Sequence, residues 1–316
     1  MRHRILLGAG LVVLGMVGTA CDKPAPPRSN DTVAFIPPPP LEPDSASPTA
    51  ESPWDASAGV VFLSAGPNAN TAALIFPRLA ADAEVTDAGL DVAPYLGTAF
   101  DLLGNGRVVS GATLSAAMPG NGAQDCSGWP MVQLAGVAAD SAARGWTIAF
   151  ERGKVLPIAF DSIAGLPSAD SSRLAVELAR IASGMPGDTL SELRGIPYQV
   201  RRAYRFAIAP GVEGILAEIQ RTLNQEASPK QEHLLFVAER DSTTRGRYEV
   251  AYFERSSGGE EMLESTELLS VARFGPRQDV GLFVARYVGD GLIYSLLQRT
   301  GSRRWRHRWS SPYTGC

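Results

Sequence analysis

The most distinctive local chemistry in this chain is the run Ser302-Arg303-Arg304-Trp305-Arg306-His307-Arg308-Trp309 near its C-terminus. If the run is a strand, successive side chains alternate, so Arg304, Arg306 and Arg308 share one face and Trp305, His307 and Trp309 the other. The arginine face is a candidate anion-binding patch, because guanidinium forks match phosphate and carboxylate groups. A plainer reading is a terminal strand whose tryptophans fill the core while its arginines face water and discourage edge pairing. Period-two alternation is what a half-buried strand requires, and it favours the plainer reading.

Two loops have the outline of an Asp-rich calcium site: Asp101-Leu-Leu-Gly-Asn-Gly106-Arg107 and Asp241-Ser-Thr-Thr-Arg-Gly246-Arg247. Calcium needs hard oxygen ligands near the first, third and fifth positions. Leu103 takes one third position and Arg245 one fifth position, where a fixed positive charge repels the ion. These are therefore read as turns, and no metal or cofactor is expected. Zinc fares no better, since beyond the N-terminal segment only His233 and His307 remain and no paired-cysteine spacing or H-E-x-x-H element accompanies them. Each histidine reads as a packing or surface residue. No G-x-S-x-G element or Gly-rich phosphate loop is present, so no catalytic residue can be assigned.

The N-terminus carries an address. Met1 to Arg4 contains two arginines, Ile5 to Val17 is almost wholly apolar, and Gly18, Thr19 and Ala20 are small residues ahead of Cys21. An apolar run of this length covers about 20 Å as a helix, too short for a membrane span. The segment resembles the bacterial lipoprotein signal, although Gly18 stands where such signals usually carry Leu. The resemblance covers residues 1–21 only and implies that Cys21 is lipidated and becomes the first residue of the mature chain. It also implies a cell-envelope location outside the cytoplasm, on the periplasmic side of either membrane or at the cell surface. An ordinary secretory signal cut near Ala20 is the rival reading.

Removing Arg2 and Arg4 from the 29 basic residues leaves 27 against 33 acidic ones, a net charge of −6 for the mature chain. That balance argues against nucleic acid as a partner. Cys126 and Cys316 are then an even pair in an oxidising compartment, and a disulfide between them is expected, stapling the C-terminus.

Ten prolines between residues 22 and 56, with few large apolar side chains, make that stretch an extended tether that cannot bury a core. The body beyond it reads as short strands punctuated by Gly, Asn, Asp and Pro, as antiparallel hairpins require. Strands are expected at 60–64, 72–76, 99–103, 108–114, 131–135, 146–151 and 155–160, then at 198–208, 233–239, 247–255, 263–272, 281–287, 292–298 and 305–309. One helix stands out, with Leu174, Leu178 and Ile181 at i, i+4 and i+7, a start near Ser168, Asp170 or Ser171, and a stop at Gly184 and Pro186. Residues 214–224 fit both periods, with Ile215, Ile219 and Leu223 on a helical face and Ile215, Ala217 and Ile219 alternating as in a strand. A helix is expected there.

The resulting fold class is α+β, mainly antiparallel β-sheet with few helices. The expected organisation is a signal peptide (1–21), a tether (22–56), a β-rich half ending in a helix (57–186) and a second β-rich half (187–316), with a hinge at 184–195. The two Asp-to-Gly-Arg loops make the halves candidates for one duplicated unit. The functional expectation is a non-enzymatic envelope protein, anchored to the membrane by lipid, that binds another envelope protein or polymer or assists assembly. An exported hydrolase whose active site converges only on folding is the alternative.

Overall fold

The structure is a computed structural model that describes residues 62–77, 90–118, 128–139, 145–186, 190–223, 229–242, 246–259 and 264–315, together with positions 79, 81 and 85. Cys21, Cys126, Cys316, the signal segment and the tether lie outside the described residues, as do the expected lipid attachment and disulfide.

Six strands close into an antiparallel barrel: β1 (Phe62–Ala65), β2 (Thr71–Ile75), β3 (Ala99–Gly104), β4 (Arg107–Ala117), β5 (Met131–Ala135) and β6 (Ile148–Glu151), in the order β1-β2-β5-β4-β3-β6. Leu63, Leu74, Phe100, Leu102, Leu114, Val132 and Ala149 fill its interior. Their neighbours Phe62, Ile75, Leu103, Ile148 and Phe150 point outward and are buried too. That is why these strands carry adjacent apolar residues such as Phe62-Leu63 and Leu74-Ile75: a strand covered on both faces has no position for water.

The chain then reaches β7 (Val155–Ile158) and β8 (Phe160–Ser162), which part company at Ala159. One five-stranded sheet runs β8, β9 (Gln199–Ala209), β10 (Val212–Leu223), β11 (Lys230–Asp241), β12 (Glu249–Gly259). The other runs β7, β13 (Ser265–Phe274), β14 (Asp279–Val288), β15 (Gly291–Gly301), β16 (Arg304–Ser310). Each is a four-stranded meander completed at one edge by a short strand from before residue 186. We call them the first and second sheet.

Four layers result. Outward-facing barrel residues pack on one face of the second sheet, where Phe62, Phe150, Phe283, Phe274, Tyr294 and Trp309 form one aromatic cluster. The Phe150 and Phe283 ring centroids are 4.8 Å apart. The opposite face of the second sheet packs through Leu268, Val271, Leu282, Val284, Leu297 and Trp305 against Phe206, Leu216, Leu235 and Val237 of the first. The far face of the first sheet is covered by α1 (Ser168–Ser183), whose Leu174, Leu178 and Ala182 meet Ile215, Ala217, Ile219, Leu234 and Phe236.

The antiparallel α+β class expected from the sequence is what the chain adopts, with α1 its α-helix among the described residues. Helix α1 starts at Ser168 and stops at Gly184, but no side chain caps its start. The Pro167 carbonyl accepts from the amides of Asp170 and Ser171 instead, at 2.9 and 3.0 Å. Residues 214–224 are not a helix. Positions 214–223 belong to β10, hydrogen-bonded to β9 on one side and β11 on the other, and position 224 lies outside the described residues. Both faces of β10 are buried, so apolar residues occur in both parities and mimic helical spacing, while pairing on both sides decides the outcome.

Candidate functional site

The layer between the two sheets is apolar in its middle and charged at its ends, and the strand registers explain why. On β10 and β11, Leu216, Leu235 and Val237 face the second sheet. The same parity carries Glu218 on β10, and His233 and Glu239 on β11, into that layer. They are 4%, 5% and 1% exposed.

Glu239 closes one end and is saturated. Its Oε1 accepts from Arg299 Nε at 2.8 Å and Trp305 Nε1 at 2.6 Å, and its Oε2 from Arg299 Nη2 at 2.9 Å and the Arg303 amide at 3.1 Å. Burial pushes the Glu239 carboxyl up, but these hydrogen bonds outweigh it and hold the group below the usual carboxylate range.

Glu218 closes the other end and is not saturated. Its Oε1 accepts one long hydrogen bond, 3.4 Å from the Thr266 amide. Arg201 and Arg202 approach only to 3.6 and 3.7 Å. Glu218 Oε2 and His233 Nδ1 are both buried without a hydrogen-bond partner among the described residues. The His233 Nδ1 atom lies 3.7 Å from Glu218 Oε1, while its Nε2 is paired with Gln231 Oε1 at 3.2 Å.

Register brings further polar groups to the same place. Glu218, Leu235 and Glu254 form one row across β10, β11 and β12, and Gln220, His233 and Ser256 form the next. From the second sheet, Thr266 pairs with Arg286 across β13 and β14. A cavity of ≈ 130 Å³ opens here, with Glu218, His233, Glu254, Arg255, Ser256, Glu264 and Thr266 as its polar lining residues beside Leu234 and Leu235. The buried Arg286 guanidinium braces its rim, with Nη1 donating to Glu254 Oε2 at 2.6 Å and Glu264 Oε1 at 3.0 Å, and Nη2 to Glu254 Oε1 at 3.0 Å. Tyr252 donates to Glu254 as well. Burial raises the Glu254 carboxyl, yet the hydrogen bonds and charge of Arg286 prevail and keep it below its ordinary value. Glu254 and Glu264 therefore answer to Arg286, and Glu218 is the acid left facing the cavity.

A second depression differs in character. An apolar groove of ≈ 670 Å³ runs between the end of α1 and the edge strand β12, lined by Ile181, Met185, Pro186, Val250 and Phe253. Arg180 and Tyr252 line it as well.

Arg304 and Arg306 are exposed and Arg308 is half-buried on β16, and none of the three forms an ion pair among the described residues. The tryptophans do not share a face. A register shift between Leu296↔Trp309 and Leu297↔His307 inserts an extra residue. Trp305 therefore enters the inter-sheet layer and binds Glu239, whereas Trp309 joins the aromatic cluster against the barrel. His307 donates to or accepts from Ser310 Oγ at 2.8 Å, and burial together with Arg286 depresses its imidazole pKa. Asp101 is spent on Arg152 and the Gly153 amide, so the first Asp loop acts as a turn; in the second, the Asp241 carbonyl accepts from the Gly246 amide, and positions 243–245 lie outside the described residues.

The pair Glu218 and His233 escaped the motif-based reading because neither belongs to a motif. Its signal was a charge interrupting an apolar strand, in Ile215-Leu-Ala-Glu218-Ile219 and in the run opened by His233. No family model, no curated protein and no solved structure matches the chain.

Proposed function

We propose that this chain is an exported, lipid-anchored protein of the cell envelope that binds another envelope component and is not an enzyme. The observation that carries the binding role is the contrast between Glu239 and Glu218. One fold, on one face of one sheet, gives the first carboxylate four hydrogen bonds and the second only one of 3.4 Å. A buried polar group left unsatisfied costs about 1–3 kcal/mol, more when charged. Acceptors held open at that cost beside a cavity are suited to a bound group.

The hydrolase alternative needs a nucleophile within hydrogen-bond reach of a base that a third group orients. His233 is oriented by Gln231, but the group beside its other nitrogen is a carboxylate rather than a hydroxyl. That arrangement supports recognition more than acyl transfer. Lipid on Cys21 supplies the anchor, since each buried methylene contributes about 0.8 kcal/mol and two or three chains hold stably.

Membranes crosslinked in the cell and extracted should yield the chain with a bound component, less of it with Glu218→Gln, and mass spectrometry should find Cys21 as an acylated N-terminus. Recovery of the chain alone under every condition overturns the binding role, and an intact Met1 overturns the anchor.

A further inference from the structure

We infer that the cavity between Glu218 and His233 takes a primary ammonium group. The inference rests on the cavity being a binding site and specifies its ligand chemistry. His233 Nε2, paired with Gln231 Oε1, carries the ring proton in the neutral imidazole, so Nδ1 presents a lone pair. Glu218 Oε2 presents another. Both open atoms are acceptors on side chains 4% and 5% exposed, so the missing partner is a donor with at least two hydrogens.

Charge narrows the choice. The rim acids Glu254 and Glu264 share Arg286, and the nearest cations to Glu218 stand beyond hydrogen-bond distance at 3.6 and 3.7 Å. Glu218 is ion-paired to Arg201 and Arg202 without a hydrogen bond from either, and a buried carboxylate oxygen left without a hydrogen bond, beside two rim acids that share one arginine, favours a positively charged donor over water or a hydroxyl. A metal ion is a poor candidate, because no group of three or more metal-ligating side chains is assembled among the described residues. An ammonium has three N–H donors, enough to serve Glu218 Oε2 and His233 Nδ1 together, and the imidazole nitrogen stands 3.7 Å from the other oxygen of the same carboxylate.

Size narrows it again. A volume of ≈ 130 Å³ equals the share of about four waters, room for an ammonium and a short alkyl stem. Free alkylamines and the ethanolamine headgroup of a membrane lipid both present this chemistry.

The test uses the full chain with nitrogen-labelled histidine, observed at about pH 8, where an ordinary imidazole is neutral. The His233 signal is assigned by comparison with His3→Gln and His307→Gln. Ethylammonium should move the His233 Nδ1 resonance saturably, and tetramethylammonium, with equal charge but no N–H, should not. Glu218→Gln should weaken ethylammonium binding by about 10- to 100-fold. Vesicles of phosphatidylethanolamine, set against phosphatidylcholine, separate the sources: a shift with the former alone assigns the headgroup, and a shift with ethylammonium alone assigns a soluble amine.

Equal responses to ethylammonium and tetramethylammonium overturn the inference, as does no response to either ethylammonium or phosphatidylethanolamine. If Glu218→Gln does not fold by circular dichroism, the comparison of the two ammonium ions on the wild-type chain decides. An envelope component that still co-purifies from crosslinked membranes when no amine shift occurs would sink the ammonium assignment and leave the binding role standing.

Discussion

Replacing Glu239 with alanine is expected to destabilise the fold by about 3–5 kcal/mol, the usual cost of removing one partner from a buried ion pair. The carboxylate is 1% exposed and holds Arg299, Trp305 and the Arg303 amide at once. Its loss strands the Arg299 guanidinium at the end of the inter-sheet layer and frees the turn between β15 and β16. Glu239→Gln keeps the volume and tests the charge, and should fall between wild type and alanine in urea unfolding. The same group sets an acid limit. Its folded pKa lies below the unfolded value, so its stabilisation is complete above the ordinary carboxylate range and is lost as pH falls through the folded pKa. Glu232 behaves alike. Burial raises it, but Tyr198, Arg221 and Arg255 prevail and hold it low. Urea midpoints measured between about pH 7 and pH 3 should drop steeply below about pH 4, and less steeply in Glu239→Gln. A wild-type midpoint that does not move with acid would show that these hydrogen bonds contribute nothing net.

Much of the strand pattern was legible because short antiparallel strands are written locally. Residues 131–135 were expected as a strand and are β5, and Trp146-to-Glu151 and Leu292-to-Gln298 overlap β6 and β15 closely. What was not legible is which strands share a sheet. The barrel closes by pairing β1 with β6 across more than eighty residues, and β7 joins β13 across more than a hundred. No spacing rule reports such distant pairings, since they are fixed by how whole faces cover one another. Residues 214–224 fail for a related reason. Alternation is readable only when one face meets water, and β10 meets the helix on one face and the second sheet on the other.

The candidate site was less legible than the fold. Motif reading is drawn to residue types that cluster in sequence, such as the arginines of β16, whereas the cavity takes its lining residues from β10, β11, β12, β13 and the approach to β13. Glu218 and Glu239 look equivalent in sequence, each an acid inside an apolar strand. Only the partners that the second sheet delivers tell them apart, and those partners depend on register. The tryptophans of β16 make the same point from the other side, since one inserted residue sends Trp305 and Trp309 to different layers.

A tight backbone joint lies at Gly106, and Gly106→Ala should cost roughly 2–5 kcal/mol. The β3–β4 turn places Gly106 at φ 68°, a left-handed conformation that alone disfavours alanine by about 1–2 kcal/mol. A Cβ there would also strike the Ile158 carbonyl and approach the Ala159 Cα. Those atoms are the crossover where the chain leaves β7 in the second sheet for β8 in the first, and the Asn105 carbonyl accepts from the Phe160 amide at 3.3 Å beside it. Backbone cannot rotate out of the way as a side chain can, so the barrel turn or the crossover must shift. Gly153, in the turn between β6 and β7, is the control: its φ is 77°, but no described atom lies within 4 Å of a Cβ built there. Gly153→Ala should therefore lose only the conformational term of about 1–2 kcal/mol. Unfolding both variants in urea separates strain from contact. Equal losses would mean that the barrel merely rests against the crossover; a clearly larger loss at Gly106 would mean that one glycine lets the barrel, the first sheet and the second sheet meet at a single point.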